Sequence, residues 1–498
     1  MSAPHIRVNQ ITAALTAAQL LVEVRGDLPD TVTSVEDDSR RVTPGGLFIA
    51  VRGSAGDGHD FLERAADAGA AVAVVENPKR TTLPAIVVRG GEAGGGRRAA
   101  AVVAAAAFDW PVRQMRLIGV TGTNGKTTTV HILRHLLDRP EAPAASIGTI
   151  GVLIGSNGRP LADDAGHGLT TPGPVELQRL LRALADQGIA NVAMEVSSHA
   201  LDQRRVEGVE FQAAVFTNLS RDHLDYHKTM DQYRDAKTRL VDHLAPHGTV
   251  VVNADDAAWR ALATSRRKVG YSTRVTSAEL HADDASYTPR GSRWRLVVGS
   301  ETAPVTLPLI GDFNISNALA AAAAAYAVGM PVARIAERLA SVPQVPGRLE
   351  VIHESPVVLR DYAHTPDALE RALHAVRPFV RGRLIVVFGA GGDRDRGKRP
   401  QMGAIAEHGA DLAIVTSDNP RTESPGAIID DIERGMQRRN HERVEDRREA
   451  IARALEIAAA DDVIVLAGKG HETYQIRGTE KHSFDEKAIV AELSGVSA

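Results

Sequence analysis

The 498-residue chain has no cysteine. Disulfides, thiolate metal sites and a thiol nucleophile are therefore excluded. Aromatic residues make up only 4% of it, so its cores must be built from Ala, Val, Leu and Ile, and a hydrophobic share of 43% is enough for that. Neither sign of charge dominates. A net charge of −4 gives no general affinity for nucleic acid or an acidic membrane, so scattered arginines read as local ligands of carboxylate or phosphate. Long hydrophobic runs are missing too: Ala99 to Phe108 is short, mostly alanine, and reads as a packed helix rather than a membrane span. The mild apolar stretch Ile11 to Val24 is broken by Gln19 and Glu23, so no signal peptide is expected and the chain reads as cytoplasmic.

What is present is led by Gly119-Val-Thr-Gly-Thr-Asn-Gly-Lys-Thr-Thr-Thr129. Arg116 to Val120 reads as a buried strand, and Val130, Leu133, Leu136 and Leu137 recur at helical spacing after Lys126. Between them Gly122, Thr123, Asn124 and Gly125 form a loop whose glycines let backbone approach a phosphate, at a helix N-terminus that offers free N–H groups. Lys126 adds a mobile positive charge, and the Thr127 hydroxyl, beside Thr128, is placed to reach magnesium. The usual phosphate-loop spacing would put glycine at 120, where this chain has Val120. An ordinary glycine-rich turn is the bland alternative, but Gly-Lys-Thr-Thr at a helix start is rare by chance. The loop reads as a nucleoside triphosphate site.

Three zones separate by pattern, in line with roughly three domains at ~150 residues each: 1–112, 113–345 and 346–498. The first mixes short strands with alanine-rich helices. The second and third alternate strands and helices, which argues for α/β folds with largely parallel sheets. Expected strands include Leu117 to Val120, Val192 to Val196, Ala213 to Thr217, Leu384 to Phe388, Leu412 to Thr416 and Val463 to Ala467. Ligands of open α/β sheets sit outside the carboxyl ends of strands, and the polar motifs fall there.

Those motifs are Glu195-Val-Ser-Ser-His199, Thr217 to His227 with His223, and then Lys237. A carboxylate and an imidazole at adjacent strand ends suit magnesium that also touches ATP phosphates. The third zone offers Gly347-Arg348, Asp361-Tyr-Ala-His364, Gly391-Gly-Asp-Arg394, Asp418-Asn419-Pro420-Arg421 and Gly468-Lys-Gly-His-Glu472. Arginines at such turns can hold a carboxylate through two parallel hydrogen bonds, and with carboxylates nearby they suit an amino acid. Arg396, Lys398 and Arg399 read instead as solvated surface charges.

From about residue 36 to 480 the chain resembles the Mur ligases, and among them those that add the third residue of the peptidoglycan peptide. The nucleotide loop, Glu195 to His199, Gly311-Asp-Phe-Asn-Ile-Ser-Asn317, Asp361 to His364 and Gly468 to Glu472 carry the likeness. It implies a UDP-substrate domain, a central phosphate-loop ATPase domain with a parallel sheet, and a Rossmann-like C-terminal domain that closes over the site. It implies ATP, Mg2+ and a CO2-derived carbamate on Lys237, with Thr127, Glu195 and His223 as the other metal ligands. Lys126, Glu195, His223, Lys237 and Arg348 would be catalytic, and Asn314, Asn317 and Arg348 would lie near adenine and phosphates. Ser39, Ser54, Thr170, Thr171, Ser197, Gln203 and Arg205 match positions that hold the UDP-muramoyl-dipeptide. Arg394, Asp418, Asn419, Pro420, Arg421, Gly468 and Glu472 match those for meso-diaminopimelate, whose distal carboxylate suits Arg421. Lys228 stands where the family commonly has glycine, which adds a charge at an exposed turn. Small-molecule substrates, no nucleic acid, no membrane span and a monomer are expected. A folylpolyglutamate-type ligase, a nucleotide switch or transport ATPase, and a non-catalytic scaffold are the competing readings.

Overall fold

The computed structural model describes residues 6–53, 56–91, 94–162, 168–288 and 290–495. The chain divides into two compact units, Met1–His281 with Asn317–Pro331, and Ala282–Ser316 with Val332–Ala498.

Two larger sheets organise the first unit, beside the two-stranded pair of Ile6–Arg7 with Thr31–Val32. One is formed by β1 (Leu21–Arg25), β2 (Val35–Glu36), β3 (Leu47–Ala50), β4 (Val72–Val75) and β5 (Ala85–Val88), in the order β1-β5-β4-β3-β2 with only β1 antiparallel. The helix Gly95–Ala107 packs on it through alanines and valines. Alanine gives up no side-chain entropy in a helix and lets the helix approach the sheet closely. The expected packed helix is there.

The second sheet contains β6 (Arg116–Thr121), β7 (Ala144–Gly148), β8 (Gly151–Ile154), β9 (Asn191–Glu195), β10 (Phe211–Phe216), β11 (Leu244–Asn253) and β12 (Lys268–Ser272), ordered β8-β7-β9-β6-β10-β11-β12. It is parallel apart from the β7–β8 hairpin. Central strands covered on both faces read as unbroken apolar runs, and Leu117, Ile118 and Val120 are fully buried. Val120 therefore belongs to the strand, which is why no glycine is needed there. Glu195 is the last residue of β9, opposite Val120, inside the strand expected over Val192 to Val196.

In the second unit β13 (Gly291–Val298) and β14 (Glu301–Leu307) form an antiparallel hairpin. A six-stranded sheet follows, made of β15 (Glu350–Glu354), β16 (Val357–Asp361), β17 (Leu384–Phe388), β18 (Leu412–Val415), β19 (His441–Arg443) and β20 (Val463–Ala467), and Tyr474–Arg477 pairs separately with Glu480–Ser483. The order in the six-stranded sheet is β15-β16-β20-β17-β18-β19, with β15 alone antiparallel. Alternation along β17 and β20 sends Val386, Phe388 and Val465 to one face, against helices Pro366–Val376, Lys398–Gly409 and Pro425–Glu433. Ile385, Val387 and Leu466 face helices Arg447–Ile457 and Glu486–Leu493. Each such side chain contributes about 1.5–3 kcal/mol of burial. Among the described residues no helix is long and apolar enough to cross a membrane.

Candidate active site

The loop after β6 is shaped by two left-handed glycines, Gly122 (φ 149°) and Gly125 (φ 84°). A Cβ at Gly122 would collide with Thr217 Oγ1, and one at Gly125 with Asn317 Oδ1. Thr217 and Asn218, at the end of β10, hold the loop from outside. Asn218 O accepts from Thr123 N at 2.8 Å, its Oδ1 accepts from Asn124 N at 2.9 Å, and Thr217 Oγ1 donates to Asn124 O at 2.7 Å. Thr127 and Thr128 are buried at the start of the helix Lys126–Leu137.

Lys126 Nζ folds back onto the carbonyls of Gly122 and Thr123, both at 2.9 Å. Lys237, buried on the helix Met230–Thr238, donates to the same Gly122 carbonyl at 2.8 Å. Its burial pushes the amine well below the usual lysine range, and the Lys126 charge pushes it further. The Lys237 Nζ lies 4.3 Å from the centre of the Tyr233 ring, whose hydroxyl is 3.3 Å from Thr123 Oγ1. The Lys126 charge at a phosphate-type loop makes a field that favours an anion.

Glu195, 1% exposed at the end of β9, is held on both carboxylate oxygens by Thr149. Oε1 accepts from Thr149 N at 2.8 Å and Oε2 from Thr149 Oγ1 at 3.2 Å. Thr149 Oγ1 is also 3.3 Å from Thr170 Oγ1. Thr171 Oγ1 donates to Glu195 O at 2.9 Å and accepts from Ser197 N at 3.0 Å. Arg205 Nη1 donates to Thr171 O at 3.0 Å while its Nε donates to Gln203 Oε1, also at 3.0 Å. The structure thus gathers Thr170, Thr171, Ser197, Gln203 and Arg205 around Glu195. The His223 ring, 4.9 Å from that of His199, sits half exposed on a residue with φ 53°. Ser39 is buried in the loop after β2, and Ser54 lies outside the described residues. Lys228 takes φ 66°, a left-handed conformation that glycine adopts at no steric cost.

In the second unit the motifs at the ends of β17, β18 and β20 come together. Asn419 Nδ2 donates to Glu472 Oε2 at 3.0 Å, and Asn419 Oδ1 accepts from Ile476 N at 2.9 Å. Asp418 is buried with Oδ2 lacking a hydrogen-bond partner. Gly468 (φ 119°) leaves room for that oxygen, which a Cβ there would strike. Pro420 is buried, and Arg421 Nη1 donates to Gly392 O at 2.8 Å. A Cβ at Gly391 would stand 3.0 Å from Arg421 Nη1 and 3.7 Å from Arg394 Cγ, so both arginines border one glycine. Arg348 stacks its guanidinium 4.8 Å from the Tyr362 ring centre, and Asn314 Nδ2 donates to Ile310 O at 2.8 Å.

Arg399 corrects the surface-charge reading. It is fully buried, donating to Glu423 at 2.8 and 3.0 Å and to Asp431 at 2.9 Å. Glu423, its carboxyl pulled down to about 2 chiefly by that hydrogen bonding, also accepts from Asp393 N at 2.6 Å. Arg399 therefore braces the turn that carries Arg394. Sequence reasoning also missed Thr149, Asn218, Tyr233 and Lys469. Asn218 carried a signal, since it follows a strand end, but Thr149 sits in a turn with no motif of its own.

Among the described residues no group of three or more His, Asp or Glu side chains is arranged to hold a metal ion. Glu195, His223 and Thr127 supply a partial donor set suited to magnesium.

The chain matches the Mur ligase family catalytic domain over residues 31–112, the Mur ligase middle domain over 120–325, and the Mur ligase glutamate ligase domain over 347–470. It is 46% identical over 467 residues to a UDP-N-acetylmuramoyl-L-alanyl-D-glutamate–2,6-diaminopimelate ligase of Gloeobacter violaceus, covering 93% of this chain and 94% of that one. The relative of the same name from Xanthomonas campestris is 44% identical over 495 residues, covering 97% and 98%. A solved structure of a ligase of that name superposes with a TM-score of 0.68 at 33% identity, covering 98% of this chain and 99% of that one. With MurF from Acinetobacter baumannii the TM-score is 0.67 at 19% identity, covering 99% and 100%, a likeness of fold. The chain belongs to the Mur ligase family and has its three-domain α/β fold.

Proposed function

We propose that the chain is an ATP-dependent ligase adding meso-2,6-diaminopimelate to UDP-N-acetylmuramoyl-L-alanyl-D-glutamate, with release of ADP and phosphate, in peptidoglycan synthesis. The observation that carries the reading is the glycine loop after β6, with Lys126 folded onto its carbonyls and Lys237 reaching the same Gly122 carbonyl from a distant helix. On this reading residues 1–112 take the UDP end of the substrate, 113–345 the nucleotide, and 346–498 the amino acid. A cytoplasmic, monomeric enzyme fits these substrates.

The D-glutamate side-chain carboxylate attacks the γ-phosphorus of ATP, forming an acyl phosphate and releasing ADP. The free amine of diaminopimelate then attacks the acyl carbon, the tetrahedral oxyanion collapses, phosphate leaves and nitrogen loses its proton. No protein nucleophile is needed. Lys126 stabilises charge on the transferring group, usually a large term in such reactions. Gly122 to Thr128 cradle the phosphates, and Asn314, Asn317 and Arg348 are assigned to the nucleotide. Ser39, Ser54, Thr170, Thr171, Ser197, Gln203 and Arg205 are assigned to the UDP-muramoyl-dipeptide. Thr127, Glu195, His223 and carbamylated Lys237 would hold magnesium, which supplies neutralisation of phosphate charge when bound. Arg394, Asp418, Asn419, Pro420, Arg421, Gly468 and Glu472 are assigned to diaminopimelate.

Phosphate release measured with ATP and UDP-muramoyl-dipeptide tests the reading. It should require meso-diaminopimelate and proceed poorly with L-lysine. Release that ignores the amino acid would favour a simple ATPase.

A further inference from the structure

Lys469 is a lysine the proposed reaction does not use, and its side chain is fully buried. It follows Gly468 at the end of β20. Its Nζ lies 3.3 Å from Asn419 Oδ1 and 3.3 Å from Glu472 Oε2. The rings of Tyr474 and Phe484 face it, with centres 5.8 and 6.0 Å away. A buried amine flanked by two aromatic faces keeps its few polar partners in a fixed arrangement, because losing one leaves the others unsatisfied in a low-dielectric pocket.

Those partners form a closed triangle. Asn419 Nδ2 donates to Glu472 Oε2 at 3.0 Å, so Oε2 accepts from both Asn419 and Lys469. Asn419 Oδ1 in turn receives Ile476 N at 2.9 Å, and Gln475 Nε2 donates to Asp418 O at 2.6 Å. Strand Tyr474–Arg477 thereby fastens the segment 418–419. With Oε2 held on the inner side, Oε1 is the Glu472 oxygen left to receive a ligand ammonium.

We infer that Lys469 is a positioning and specificity residue for the amino-acid substrate: it locks Glu472 and Asn419 into one geometry so that the Glu472 carboxylate meets an incoming ammonium with a single oxygen. This rests on the assignment of Glu472 to the diaminopimelate site. Lys469 itself touches no substrate. Its removal frees the carboxylate to rotate and breaks a charge-assisted hydrogen bond, which weakens amino-acid binding selectively.

The test is steady-state kinetics of Lys469→Met, Glu472→Gln and the double variant, with ATP, UDP-muramoyl-dipeptide and meso-diaminopimelate varied in turn. Lys469→Met is expected to raise KM for diaminopimelate about 10- to 100-fold while KM for the other two substrates stays within about twofold. Glu472→Gln should show the same pattern, and the double variant should be little worse than the weaker single one, as coupled residues are not additive. Lys469→Gln, which keeps an N–H donor, is the second variant should Met not fold, and the same selective rise in KM, smaller in size, is expected of it. A normal KM for diaminopimelate in the Lys469 variants beside a raised one in Glu472→Gln overturns the positioning role and leaves the site assignment standing. Glu472→Gln without effect overturns that assignment and the inference with it. A uniform change in all three KM values, or full additivity, reduces Lys469 to a fold-stabilising residue and overturns the inference.

Discussion

Lys126 and Lys237 donate to one backbone oxygen, that of Gly122, at 2.9 and 2.8 Å. One lysine belongs to the loop itself and the other comes from a helix far along the chain. Burial lowers the proton affinity of Lys237, and the nearby Lys126 charge adds to the effect. On the proposed function Lys126 serves as the cation for phosphate and Lys237 as the amine that takes up CO2.

Lys237→Ala should therefore lose activity by about 100-fold or more, the scale of removing an electrostatic partner of the transferring group. Added formate, a small carboxylate, should restore part of it. Turnover of the alanine variant with and without formate checks this, and near-normal turnover would remove Lys237 from the site.

Thr149 holds both oxygens of Glu195. Thr149→Val keeps the shape and the backbone donor but deletes the hydroxyl bond to Oε2. The expected loss is about 10- to 100-fold in turnover, typical of groups that orient a metal-binding side chain. Thr149→Ser should recover most of it. Equal losses in Val and Ser would point to packing rather than to the hydroxyl.

Arg421 is bonded to Gly392 O and borders Gly391 beside Arg394, and the proposed function assigns it to the distal carboxylate of diaminopimelate. Lysine has none, and on this assignment it leaves Arg421 without a carboxylate partner once substrates enclose it, which costs roughly 2–4 kcal/mol, or ~30- to 1000-fold. The wild-type enzyme should prefer meso-diaminopimelate over lysine by that margin in kcat/KM. Arg421→Ala should lose most of the preference. Comparable kcat/KM for the two amino acids in the wild type would refute the assignment.

Arg399→Met should destabilise the fold by about 1–2 kcal/mol, because the partly buried Glu423 and Asp431 lose their shared partner and are left with Arg396 and Arg434. Urea denaturation reads the change. The double change Arg399→Met with Glu423→Gln should recover part of the stability, and failure to do so would place the cost in packing.

His131 is buried, and its ring accepts from Arg134 Nη2 at 3.1 Å. Burial, with the Arg134 charge next, pulls its pKa down to about 3. A folded pKa below the unfolded value means that stability from the neutral ring is full above about pH 6.5 and is lost as pH falls toward 3. Between pH 7 and 5 the loss should be about 2 kcal/mol. His131→Gln should flatten the stability profile over this window. An unchanged slope would place the acid sensitivity elsewhere.

Contiguous sequence by itself determined the phosphate loop, the strands of the two α/β sheets and the motifs at their carboxyl ends. A loop that binds phosphate through its own backbone carries its chemistry in adjacent residues, and a strand buried on both faces must be apolar along its length. Tertiary structure decided the pairings. Lys237 reaches Gly122 across 115 residues, Thr149 reaches Glu195 across 46, and Lys469 reaches Asn419 across 50. The antiparallel β7–β8 hairpin delivers Thr149, and nothing in its own neighbours marks that turn. Arg399 looked like a surface charge because Glu423 and Asp431, which neutralise it, lie on a different segment of chain. Whether a charged side chain faces water or a partner depends on which strand ends and helices the fold brings beside it, and that neighbourhood exists only once the sheets have formed.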